Sequence, residues 1–202
     1  MKTRRRLASI VFALVTCCAG AALAQGAAMK YTTNRARVTF HADTPMQAID
    51  ATSTEGAFTY SAATGEFTAQ VPVASFKFQN AQMETNFQTG HVAVNEPGPK
   101  SAAGEPTFPN KFATLTGKLS KAIDTSKDGT TEVTLSGKFT FHGVTKELSV
   151  KGTVTVKTTD LVVNAKFDVA PKDFNVPLPK LGDKELGALM SVVVDATLSA
   201  AP

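Results

Sequence analysis

Apolar and polar residues alternate with a period of two through much of the chain. Val133, Leu135, Gly137, Phe139 and Phe141 share one phase, and Glu132, Thr134, Ser136, Lys138 and Thr140 the other. Leu148, Val150, Gly152, Val154 and Val156 repeat the pattern, and Leu161, Val163, Ala165, Phe167 and Val169 give it a third time. Successive side chains of a strand point to opposite faces, so these runs predict antiparallel strands with one buried and one solvated face. Turn residues at 142–146, 158–160 and 127–130 join them. Upstream, a strand is predicted over 112–123, and a hairpin over 58–73 turning at Ala62-Ala63-Thr64-Gly65. Residues 35–41 read as an opening strand and 189–198 as a closing one, for about eight in all.

Three stretches break this rhythm. Residues 80–88, with Met83 and Phe87 at i, i+4, predict a single short helix. Residues 95–110 carry Pro97, Pro99, Pro106, Pro109, Gly98 and Gly104 and read as a loop; residues 170–187, with Pro171, Pro177 and Pro179, are a second irregular crossing. No solenoid repeat or domain-sized linker interrupts the chain. The pattern predicts a single all-β domain, a barrel or a sandwich.

Gly117, Gly137 and Gly152 fall in the inward phase of their strands, and so does Ala165. Small residues there leave room inside a barrel of about eight strands, a size that is either self-filled or holds one small ligand. Glycine in a barrel strand also marks the bends that closure needs. The pattern alone leaves both open.

The 202 residues carry 21 Lys and Arg against 17 Asp and Glu, a net charge of +4. The excess is local. Lys2, Arg4, Arg5 and Arg6 precede an apolar run over 7–15, small residues follow, and Ala22-Leu23-Ala24 precedes Gln25. This is the three-part layout of a cleaved secretory signal, so residues 1–24 are expected to be removed and 25–202 to form the domain. Without them 17 bases face 17 acids, and a basic balance no longer argues for nucleic acid. Cys17 and Cys18, the chain's two cysteines, would leave with the signal, taking disulfide and thiolate chemistry with them. No second apolar run approaches the length of a membrane span.

Enzymatic patterns are weak. His41, His91 and His142 show no metal-ligand spacing, and no nucleophile elbow or phosphate loop is present. Asp124, Ser126, Asp128 and Gly129 match the start of a calcium loop, but Leu135 stands where a bidentate acid is required. No catalytic residue, metal or cofactor is predicted. The 13 Phe, with 2 Tyr and no Trp, supply ring area without polar handles, which suits an apolar interior.

The run Gly137-Lys-Phe-Thr-Phe-His-Gly-Val-Thr-Lys-Glu-Leu148 resembles the YceI-like family of exported bacterial lipid-binding proteins, whose most recognisable motif is the Gly-Val-Thr-Lys turn, here 143–146. Met83-Glu-Thr-Asn-Phe87 is similar to the family's short helix, and 108–117 to the strand entry that follows it. Lys172-Asp-Phe174 falls where the family has Arg-Ser-Asp-Phe-Gly, with Asn175 in place of that glycine. The likeness spans about 30–199. It implies an eight-stranded antiparallel lipocalin-like barrel with one short helix, holding a polyisoprenoid or other apolar-chain lipid without catalysis, in the periplasm. The expected barrel lining is Phe58, Phe87, Phe139, Phe141, Val150, Gly152, Val163 and Phe167. Oligomeric state is left open, a dimer included. Two rivals remain: a barrel with a packed core acting as a stress or interaction module, and a lipid- or quinone-modifying enzyme using His91 or His142 as acid or base.

Overall fold

A computed structural model describes residues 29–44, 48–178, 180–181, 184–185 and 189–201. The expected signal at 1–24, with both cysteines, lies outside the described residues. Eight strands dominate: β1 (Lys30–Ala42), β2 (Ile49–Ser61), β3 (Glu66–Pro72), β4 (Phe112–Leu119), β5 (Gly129–Phe141), β6 (Val144–Lys157), β7 (Asp160–Val169) and β8 (Met190–Ala201). Each pairs antiparallel with its sequence neighbours, and β1 pairs with β8 as well as β2. The sheet therefore closes into an up-and-down barrel, which removes the exposed edges of an open sheet. A β-bulge between Thr33 and Ala36 shifts the register of β1 against β2, a device that helps a sheet bend into closure.

The tight turns match the sequence. His142 and Gly143 both have positive φ, as a two-residue hairpin of the primed type requires, and connect β5 to β6. Strand limits differ more. β1 starts at Lys30 and β2 at Ile49, earlier than the apolar alternation shows: the added segments pair in the ladder and bury Tyr31, Ala51 and Ser53 among polar neighbours. β4 ends at Leu119, and 120–128 is a loop rather than strand. There Ile123 turns inward and is buried instead of continuing the ladder.

The two long irregular stretches both lie at one end of the barrel. Between β3 and β4 come a turn at Val73–Ser75, a two-residue strand Lys77–Phe78 on the edge of β2, and a short helix over 81–91. Asn80 caps that helix, its Oδ1 accepting from Gln82 N at 2.7 Å. From Asn86 the helix widens, Val92 N donating to Phe87 O five residues back, and Thr85 and Thr89 hydroxyls bond to carbonyls one turn earlier. Residues 95–110 form the expected loop. The second crossing follows β7, with a turn at Pro171–Phe174. Among the described residues no helix is long and apolar enough to cross a membrane.

Gly117 and Gly137 face one another across β4 and β5. A Cβ on Gly137 would run into Thr116 O and the Gly117 Cα, and one on Gly117 into Ser136 O. These glycines thus permit close approach of two strand backbones where the wall bends. Gly137→Ala should lower stability by about 1–3 kcal/mol through overpacking, read as a lower denaturant midpoint at unchanged slope.

Candidate functional site

The inward faces of the strands line an apolar cavity along the barrel. Its wall is almost wholly hydrocarbon, with the polar exceptions Tyr60, Thr153 and Asn164. All eight predicted lining residues face it: Phe58, Phe87, Phe139, Phe141, Val150, Gly152, Val163 and Phe167. Phe58, Phe141 and Val150 are buried, whereas Phe87, Phe139, Val163 and Phe167 point inward and are still only half-buried. An inward residue keeps accessible surface when the space in front of it is empty, so the strand alternation here frames a void rather than a filled core.

Gly152 plays a different part from the one its inward phase suggests. A Cβ there would stand 2.5 Å from Asn164 O and 3.0 Å from the Ala165 Cβ on β7. Its missing side chain is taken up by the neighbouring strand, as at Gly117 and Gly137. Aromatic rings gather at the mouth end of the cavity.

Those rings form two groups. Phe87, delivered by the short helix, packs at 5.6 Å from Phe40, 6.5 Å from Phe76 and 5.1 Å from Phe78 (ring centroids). In the other group Phe139 packs at 6.3 Å from Phe141, 6.4 Å from Phe167 and 5.2 Å from Phe174. Phe87 has no in-phase strand partner in sequence; the i, i+4 pairing with Met83 was its one signal. Phe76 and Phe78 lie in the stretch without period-two rhythm and could not be found from it. Lys77 Nζ to Glu84 Oε1 at 2.6 Å and Gln88 Nε2 to Ala74 O at 3.1 Å fasten the helix to the rim.

Above the rings lies a second chamber, bounded by Ala42, Ile49, Met83, Asn86, His91, Pro177 and Leu178. Phe40, Phe87, Phe141 and Met190 line both spaces, so they are the partition between chamber and cavity. The crossing after β7 roofs it. Phe174 and Val176 are buried on a small cluster with Val73, Val92 and Phe141, and two histidines hold the roof down. His142 Nδ1 lies 2.9 Å from Phe174 O, and His91 Nδ1 2.8 Å from Pro177 O. A carbonyl only accepts, so in both imidazoles Nδ1 carries the proton. Lys146 adds a 3.4 Å contact to Asp173. Among the described residues no group of three or more His, Cys, Asp or Glu could hold a metal.

On the rim, His41 links the end of β1 to the start of β2. Its Nδ1 is 2.7 Å from Asp50 Oδ1 and its Nε2 3.1 Å from Asp43 Oδ1. The hydrogen bond that His41 donates to Asp50, then that to Asp43, raises its pKa above the usual 6.5. At the far end, burial pushes the Tyr60 phenol above its ordinary value, with the Ile123 main chain acting weakly the other way.

The family model of the YceI-like domain matches residues 30–199. The fold is similar to that of a polyisoprenoid-binding domain from Saccharophagus degradans implicated in plant cell wall breakdown, with a TM-score of 0.66 and 11% identity, covering 86% of this chain and 99% of that one. It is also similar to BcnA of Burkholderia cenocepacia, with a TM-score of 0.59 and 14% identity, covering 81% and 96%. No curated protein matches the sequence.

A raised histidine pKa in the folded state stabilises the fold in full below 6.5, and that contribution is lost as pH rises through the folded value. The His41 resonance should therefore titrate above 6.5 by NMR, and Asp50→Asn should bring it down. The thermal midpoint advantage of wild type over Asp50→Asn should shrink as pH rises from 6 to 8.

Proposed function

The chain belongs to the YceI-like domain family, and we propose that its barrel is a non-catalytic carrier for a polyisoprenoid or other long-chain amphiphilic lipid. The observation that carries this is the almost wholly hydrocarbon cavity, which meets a roofed chamber at one end of the barrel. Each methylene moved from water into such a wall gains about 0.8 kcal/mol, and this needs no charged anchor. A fold-level neighbour is a polyisoprenoid-binding domain, which agrees with a chain-like hydrocarbon as guest.

Of the two rivals, a packed-core module accords poorly with inward residues that remain half-buried. An acid–base role for His91 or His142 accords poorly with imidazoles whose Nδ1 protons are committed to roof carbonyls. The carrier works in the periplasm, reached through the cleaved segment 1–24.

Protein purified from its host should carry lipid visible as added mass in native mass spectrometry; lipid-free protein that takes up no fluorescent prenyl probe overturns the carrier reading. Val163→Phe, which intrudes on the cavity at mid-height, should weaken uptake by at least about tenfold, some 1.4 kcal/mol, with an unchanged far-UV spectrum. For export, the intact mass of the periplasmic form should correspond to a chain beginning at Gln25. A full-length product retained in the membrane contradicts cleavage.

A further inference from the structure

The two ends of the barrel are built differently, and the difference bears on what the cavity selects. Along β8 the inward residues Met190, Val192 and Val194 are half-buried, while Ala196 and Leu198 beyond them are buried, Leu198 completely. On β7 Leu161 is likewise buried at the far end, at 1% exposure, below a half-buried Val163. The void thus ends on Tyr60, Leu119 and Leu161. Behind them sits Ile123, brought in by the loop 120–128, with its main chain beside the Tyr60 phenol.

That loop is pinned at both ends. Ser120 exchanges hydrogen bonds with Thr134 on β5, its N donating to Thr134 O at 2.7 Å and its Oγ accepting from Thr134 N at 2.9 Å. Asp128 Oδ1 accepts from Thr158 N at 2.7 Å in the β6–β7 turn. Between them Asp124 Oδ1 accepts from Ser126 N and Oγ and its carboxylate holds Lys127, so the residues resembling a calcium loop bind one another instead. The mouth, by contrast, is covered by a short helix and a proline-bearing crossing, held by side-chain contacts at the rim rather than by the ladder.

We propose that this closed floor is a length gauge: Tyr60, Leu119 and Leu161, backed by Ile123, fix the longest apolar chain that the cavity accepts in extended form. The inference rests on the carrier reading and adds a selectivity to it. The lining residues of β7 run from Leu161 to Val169. At about 3.4 Å per residue that is about 27 Å of strand, or about 20 Å along the axis at the usual tilt of eight-stranded barrels. A tail shorter than this gains contact with every added methylene, about fourfold in affinity each. A longer tail meets the floor and gains nothing further inside.

The test is displacement of 11-dansylaminoundecanoic acid by straight-chain primary alcohols of increasing length, supplied from cyclodextrin. For the wild type, affinity should climb about fourfold per carbon and then level at a defined length. Leu161→Ala, which deepens the floor, should move the plateau to longer chains. Leu119→Phe, which raises it, should move the plateau to shorter ones and keeps the test open should the alanine variant fail to fold. A plateau at the same length in wild type and either folded variant overturns the gauge and leaves the carrier reading standing. A wild type that binds no alcohol of any length overturns both.

Discussion

Pairing of β1 with β8 is the constraint on which the rest depends. Once the sheet closes, the inward phase of every strand must share a cylinder of fixed radius, and the side chains there decide whether it fills or stays hollow. Closure needs bends, met by the bulge in β1 and by Gly117 and Gly137, where two strand backbones lie too close for any Cβ. At the far end Tyr31, Tyr60, Leu161 and Leu198 are buried side by side on paired strands and close it. Nearer the mouth the inward Val163, Ala165 and Val194 are only half-buried. The void follows from that distribution.

The irregular segments follow from the same closure. A meander of eight strands has connections at both ends, and here those at the floor are short or pinned while the two long ones gather at the mouth. Each brings an aromatic side chain to the entrance, Phe87 from the helix and Phe174 from the crossing. Each is secured by polar contacts outside the cavity: Lys77 to Glu84 for the helix, His91 and His142 to carbonyls for the crossing. The hydrocarbon path stays free of charge because the polar work is done on its rim.

Much of this was legible in the sequence, for a physical reason. Alternation with period two is a direct record of which side chains face the axis, so the strands, their hairpins and seven of the eight expected inward positions could be read from residues 112–169 and the hairpin before them, Phe87 lying on the helix instead. Asn80 with Met83 and Phe87 likewise gave the helix. What could not be read depends on distances between strands. Gly152 stands in the inward phase, and only the approach of Asn164 and Ala165 shows that its side chain is missing for the sake of the neighbouring strand. The mouth chamber draws Ile49, Phe78, Leu178 and Met190 from four separate places, with no shared period to join them. Ile123 looked like one more strand residue, and its burial depends on a loop that turns back under the barrel.

An open apolar cavity is also a thermodynamic statement about the fold. Interiors are normally packed as densely as organic crystals, and wall atoms facing a void lose the dispersion contacts that a filled core supplies. Phe139, Val163, Phe167 and Val192 are in that position. The barrel tolerates the loss because its backbone ladder closes on itself and its floor is well packed, so the empty part lies within a frame that does not collapse. A guest that restores those contacts binds the folded state and has no counterpart in the unfolded one, so it must stabilise the fold in proportion to its affinity. Ligand binding and folding would then draw on one set of inward residues: the side chains that form the wall are the ones whose missing contacts a hydrocarbon guest would supply.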